Sequence, residues 1–415
     1  MMFAVFRAGI HIPVPGVDAS VIESLFTSGN LFGLLDLFAG GALSKFSIFA
    51  MSITPYINAS IIMQLLQSVV PQFEAWSKDG EEGRKKIAKV TRYGTVVLGF
   101  VQAFGMAFAL RANSALVNND ILSVFVVAII LTAGTCLLMW IGEQITAYGI
   151  GNGISLIIMI GIIARLPQAL IQEFSNRVSE AIGGGIVMLI IEIIILYAVV
   201  CAAILLTQGT RKIPVQYAKR VVGNKQYGGA RQYIPLKLFA ANVMPIIFAQ
   251  ALMFIPLAIV QYSSDSTSSV LQSLMNTKSL AYNCIYVLLI VVFTYFYTAI
   301  TLNPTQMAED MKRNNGFIPG VKPGKDTADY IDTVMSRLTG PGALFIAFIA
   351  IMPALAGYLN VADAFGQFFG GTSLLILVGV VIDTLQQIES HLMMRHYDGL
   401  LNSGHTRGNS GVAAY

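Results

Sequence analysis

Ser52-Ile53-Thr54-Pro55-Tyr56-Ile57 lies inside an apolar run from Ile48 to Val70, and Asn242-Val243-Met244-Pro245-Ile246-Ile247 lies inside another from Ala240 to Val260. Counted along the chain, these are the second and seventh of about ten spans. Each is thus the second of its own half of five. A proline frees a backbone carbonyl, which in lipid is tolerated only where the backbone faces protein or water. Interruptions at matching places in two halves point to a transport pathway built on an inverted repeat. Ordinary proline kinks, which membrane helices tolerate, are the plainer explanation. The matched positions favour the repeat.

The rest of the chain fits this setting. Its 415 residues are 55% hydrophobic and 12% charged, about half the charged fraction of a soluble domain. The expected class is an all-α polytopic membrane protein. Spans are expected at Met1–Ile10, Phe46–Val70, Tyr93–Leu110, Ile121–Ile141, Ile154–Leu170, Gly185–Thr207, Ala240–Val260, Ala281–Leu302, Gly342–Leu359 and Gly371–His391. The first is too short to cross and reads as the end of a longer span. Between the first two, Leu31–Ala39 is apolar but also too short, and Gly40-Gly41 follows as a helix stop. Such a helix reads as re-entrant. The halves are expected at 1–171 and 172–400, and 401–415 reads as a flexible tail, small and polar enough for an expression scar. Cys136, Cys201 and Cys284 are scattered through apolar runs, which suits packing rather than disulfides or zinc.

Lys and Arg set the orientation. Lys78, Arg84, Lys85, Lys86, Lys89 and Arg92 follow the second span. Arg211, Lys212, Lys219, Arg220, Lys225, Arg231 and Lys237 follow the sixth, with no acid among them, and Lys312, Arg313, Lys322, Lys325 and Arg337 follow the eighth. The opposite side has Lys45, Arg177 and Lys278. Both termini are therefore expected in the cytoplasm. Loops 208–239 and 303–339 are longer than a helix connection needs. Positive-inside bias explains their charge, but their length favours a docking surface for an acidic partner or a ribosome.

Catalytic patterns are lacking. His11, His391, His396 and His405 form no metal motif. Gly149-Ile150-Gly151-Asn152-Gly153 imitates a phosphate loop but follows a membrane span, and Gly320–Asp326 has the wrong spacing for one. No cofactor or metal is expected. Glu192 stands alone inside the sixth span, where a structural role with a polar neighbour suits it better than ion coupling. Ile53 and Ile57, and again Ile154 and Ile158, stand one helical turn apart. Such pairs can form a dry constriction, although any buried helix also shows them.

The run Gly40-Gly41-Ala42-Leu43-Ser44-Lys45-Phe46-Ser47-Ile48-Phe49-Ala50-Met51-Ser52-Ile53-Thr54-Pro55-Tyr56-Ile57-Asn58-Ala59-Ser60 resembles the SecY family, channel subunits of the bacterial protein translocase. Ile12–Gly16, Gly80–Lys85, Gly149–Ser155, Gln216–Arg220, Phe293–Tyr297 and Gly370–Leu375 carry the same resemblance, which runs from about Phe6 to Gly399. It implies ten spans in two inverted halves around an hourglass pore. It also implies a pore ring at Ile53, Ile57, Ile154, Ile158, Ile247 and Ile376, and a plug over about Leu31–Ser44, including Leu34, Leu35, Leu37, Phe38, Gly40 and Gly41. A lateral gate would lie between spans two and three on one side and seven and eight on the other, with Gln64, Gln102 and Gln250 facing it. Arg211, Lys212, Arg220, Lys225 and Lys322 would receive the ribosome or the SecA ATPase. SecE and SecG are the implied membrane partners, and signal sequences, nascent chains and lipid the implied ligands. The implied location is the bacterial cytoplasmic membrane. Lys322 stands where the family motif has Arg, Phe239–Asn242 departs from the family's entry to the seventh span, and the family's N-terminal amphipathic helix has no counterpart. A secondary transporter of a small solute is the competing class; it would gather charged groups at the midplane.

Overall fold

The computed structural model describes residues 2–18, 41–43, 45–112, 115–118, 120–179, 185–217, 220–222, 225–227, 231–238, 244–250, 252–253, 279–358, 361–366 and 368–404. Helices α1 (Met2–Gly9), α2 (Thr54–Val69), α3 (Pro71–Lys78), α4 (Gly80–Ala112), α5 (Ile121–Tyr148), α6 (Gly153–Ile163) and α7 (Leu166–Val178) come first. After α8 (Gly185–Gln208) and a strand-rich insertion come α9 (Leu280–Thr301), α10 (Pro304–Arg313), α11 (Lys325–Tyr358), α12 (Asp363–Gly366) and α13 (Gly371–Gly404). Residues 244–250 are helical too.

Seven stretches among the described residues are long and apolar enough to cross a membrane: Gly80–Arg111, Ile121–Tyr148, Gly153–Val178, Gly185–Gln208, Leu280–Arg313, Lys325–Tyr358 and Gly371–Met394. The chain is a mostly helical, multi-pass membrane protein. The seven correspond to the expected spans three to six and eight to ten. The expected seventh span lies largely outside the described residues, and α1 has only 8 residues.

The second span departs from expectation in an instructive way. Residues 45–53 form turns, and α2 begins only at Thr54. Phe46 and Ser52 take left-handed φ values of 40° and 51°. The turns are closed by the Phe46 amide donating to the Leu43 carbonyl at 3.0 Å, Ser47 to Ala42 at 2.9 Å and Ile48 to Ile12 at 3.0 Å. Phe46, Phe49, Ala50 and Ile53 are buried, so this irregular backbone is enclosed by protein, as a membrane requires. Pro55 therefore kinks nothing. It occupies the first turn of α2, where its missing N–H has no helical partner to lose. Pro245 lies among the helical residues 244–250. Helix α5 presses on the turns so closely that a Cβ on Gly134 would lie 2.1 Å from the Ile48 carbonyl oxygen.

Several helices, α4 and α11 among them, outrun the membrane. At 33 residues α4 is ~50 Å long, against roughly 30 Å of hydrocarbon. Its first turns carry Arg84, Lys85, Lys86, Lys89 and Arg92, which had been expected in a connection. Helix α11 begins at Lys325 rather than Gly342 and buries Ala328, Ile331 and Met335 at helical spacing before it enters the apolar stretch.

The two long basic loops are one packed unit. Strands β1 (Thr210–Tyr217) and β4 (Arg231–Lys237) pair antiparallel with Ile213 opposite Ile234. Strand β5 (Gly316–Phe317), from the second loop, adds to β1 through Gln216 and Phe317. Strands β2 (Arg220–Val222) and β3 (Lys225–Tyr227) form a separate hairpin between β1 and β4. Ile213, Val215 and Leu236 pack with Met311, Ile318, Ile331 and Met335, so the sheet, α10 and the start of α11 share a core.

Candidate conducting pathway

Ile53 is the residue before α2, and its carbonyl accepts the Tyr56 and Ile57 amides, each at 3.1 Å. That contact fixes Ile53 and Ile57 around Pro55. Ile154 and Ile158 lie on α6, whose start is held from its own side. The Asn152 side chain accepts the Ile154 amide at 3.1 Å and the Ser155 amide at 3.5 Å, while Thr146 Oγ1 accepts the Gly153 amide at 2.9 Å. A Cβ on Gly153 would lie 2.1 Å from the Gly142 oxygen. The run from Gly149 to Gly153 is thus a tight α5–α6 turn, with the helix-start donors taken by Asn152 and Thr146 rather than offered to a phosphate.

Ile53, Ile158 and Ile376 are buried, and Ile57, Ile154 and Ile247 are partly buried against the same apolar cluster. They come from the α2 start, α6, residues 244–250 and α13. Branched apolar side chains of this kind offer an ion nothing to replace its water.

Tyr297 on α9 donates its hydroxyl to Gln64 Oε1 on α2 at 3.3 Å. Phe248 stacks on Phe293 with centroids 5.5 Å apart and leans on Tyr297 at 6.5 Å. Gln102, on α4, and Gln250 are half-buried. Tyr297 belongs to the family-like run Phe293–Tyr297 but not to the expected gate-facing set, although its polar tip one turn beyond Phe293 on an apolar helix is a usable signal. Of the expected plug, Leu34, Leu35, Leu37, Phe38 and Gly40 lie outside the described residues. Gly41 has φ +89°, and Ala42 and Leu43 after it are buried.

Arg211 and Lys212 are exposed on β1. Arg220 lies opposite Tyr227, and Lys225 opposite Val222, in the β2–β3 hairpin. Lys322 is exposed in a turn between Gly320 (φ 90°) and Gly324 (φ 113°), with its carbonyl accepting from Thr327 Oγ1 at 2.7 Å.

Glu192 has acquired partners that the sequence did not name. Arg177 Nη2 donates to Glu192 Oε1, and Arg177 Nε donates to Glu173 Oε1 at 2.8 Å. The Ala362 amide completes Glu173 through Oε2 at 2.9 Å. All three charged side chains are only 1% exposed. Arg177 was expected in an outer connection; it is buried because α7 continues through Val178, past the expected division at 171/172. The Glu173-Arg177 spacing of four was the missed cue. Removing one member of such a buried set costs about 3–5 kcal/mol, because a charge is left uncompensated. By contrast, the Arg92–Glu143 pair at 2.7 Å is half in solvent and contributes little.

Helices long and apolar enough to cross a membrane, and an irregular entry to one of the expected spans that protein encloses, are the parts of a membrane-embedded channel fold. A profile described as SecY matches residues 47–385. Protein translocase subunit SecY of Halalkalibacterium halodurans is 46% identical over 411 residues, covering 97% of this chain and 95% of that protein. Those of Bacillus subtilis and Thermotoga maritima are 44% and 43% identical, each covering 97% of this chain and, respectively, 95% and 94% of their own. This chain belongs to the SecY family. The fold is also that of a solved structure described as a protein conducting channel, with TM-score 0.65 at 20% identity, covering 94% of this chain and 90% of that one. Sec61 in a canine ribosome-channel complex follows with TM-score 0.62 at 19% identity and the same coverage.

Proposed function

We propose that this chain conducts unfolded polypeptides across a membrane, with Ile53, Ile57, Ile154, Ile158, Ile247 and Ile376 as the ring that closes on them. The observation that carries the reading is that these six isoleucines, from widely separated parts of the chain, contribute to a single apolar cluster. Such a ring deforms around any side chain while denying ions solvation. A solute carrier needs polar ligands there; Glu192 and its neighbours instead bind one another. The protein is a channel, not an enzyme.

The finer features follow the same reading. Ten spans form two inverted halves, with both termini in the cytoplasm and the bacterial cytoplasmic membrane as the location. Residues 31–44 plug the outer funnel. Apolar substrate segments leave between α2 and α9, where Tyr297 meets Gln64. The basic unit built on β1–β5, α10 and α11 receives the ribosome or SecA, and SecE and SecG complete the complex; the likeness to Sec61 in a ribosome-channel complex supports a ribosome as partner. Reconstitution into vesicles with SecE, SecG, SecA and ATP tests the whole. A secretory precursor should become protected from added protease; no protection in vesicles shown to hold the complex would contradict the reading.

A further inference from the structure

The cluster of Glu173, Arg177 and Glu192 has no part in the pathway described above, yet it is the most deeply buried charge cluster among the described residues. It joins the end of α7, at Glu173 and Arg177, to the first turns of α8, at Glu192. Arg177 holds Glu173 on its own helix and Glu192 on α8. Glu173 in turn accepts the Ala362 amide, from the segment that joins α11 to α13. One guanidinium and one carboxylate thus tie the last helix of the first half to two separate parts of the second. The neighbouring cavity is lined by Leu170, Phe174, Leu189, Ile193 and Phe365 beside Glu173. In such apolar surroundings the bonds are not weakened by water. Glu192 Oε2 has no hydrogen-bond partner among the described residues.

We infer that Arg177 is a positioning residue that pins the junction of the two halves and so sets how readily the channel opens. The Tyr297–Gln64 contact bridges the halves elsewhere, between α2 and α9. If the halves part there, they must turn about the α7–α8 junction. A junction held by directional bonds to two elements permits one relative angle, while a junction of apolar contacts alone permits a range. The inference rests on the channel reading.

The test uses the reconstituted complex and three graded variants: Glu192→Gln, which keeps the shape; Arg177→Met; and Glu173→Gln with Arg177→Met and Glu192→Gln, which removes all charge together. Each is assayed for resting ion current in planar bilayers and for translocation of precursors with intact and with defective signal sequences. A pin predicts a resting current raised several-fold and more transport of the defective precursor, with intact-precursor transport retained. The graded order should be Glu192→Gln below the other two. A merely structural role lowers yield and leaves current and stringency per folded complex unchanged; that result overturns the inference. Glu192→Gln, the mildest change, decides the matter if the others do not fold. Failure of the channel reading is distinguishable, because the unmodified complex would then protect no precursor at all.

Discussion

Ile376 is buried near the start of α13, within the same apolar cluster as Ile53 and Ile158. Ile376→Asn replaces a branched hydrocarbon with an amide that water can follow into the constriction. The resting ion current should rise, and precursors with poor signal sequences should cross. An unchanged current in folded complex would remove Ile376 from the ring. Gly134 offers a residue-scale test of the fold itself. Gly134→Val would set carbon against the Ile48 carbonyl, where only 2.1 Å is available to a Cβ. Backbone cannot yield as a flexible side chain does, so destabilisation at or above the usual 1–3 kcal/mol for overpacking, about a few kcal/mol, is expected. Thermal unfolding of the detergent-solubilised complex should show a lowered midpoint, whereas Gly105→Val, where a Cβ would meet nothing within 4 Å, should not.

At the scale of elements, the two basic insertions share a core through β1, β4, α10 and α11. Reversing Arg220 and Lys225 together should weaken ribosome binding and flatten its dependence on salt, since fewer phosphate contacts release fewer counterions. Reversing Lys322, held in the turn between Gly320 and Gly324, should instead reduce SecA-driven transport. Co-sedimentation across a salt series, run beside a translocation assay, separates the two; no response in either assay would leave these residues a topological role alone. Ile331→Ala, which hollows the shared core, should cost about 2–5 kcal/mol locally and impair both activities. Here the sequence was only partly legible. The span positions of α5, α8 and α9 follow from hydropathy, because the periodic signal and the membrane solvent agree there. Helix α11 was cut short because Lys325, Asp326, Asp329, Asp332 and Arg337 mask a helix that is amphipathic before Gly340 and apolar after it. The β1–β4 pairing was invisible because only Ile213 and Val215 turn inward on β1 and Pro214, between them, argues against a strand.

For the whole molecule, the isoleucines of the proposed ring could be paired by spacing only within one helix; the inclusion of Ile247 and Ile376 depends on family resemblance, since nothing local distinguishes them from other isoleucines. The Arg177 cluster was hidden for the opposite reason: Glu192 is legible inside its span, but Glu173 and Arg177 look like loop charges until α7 is seen to continue to Val178. The central claim is that one path through this cluster conducts polypeptide. The most direct measurement places a photo-crosslinking residue singly at Ile57, Ile158 and Ile376, with Val126, exposed on α5, as a control, and stalls a precursor midway through the reconstituted complex. Adducts to the stalled chain from all three ring positions, and none from Val126, are the predicted result. Stalled precursor with no adduct at the ring would contradict the account.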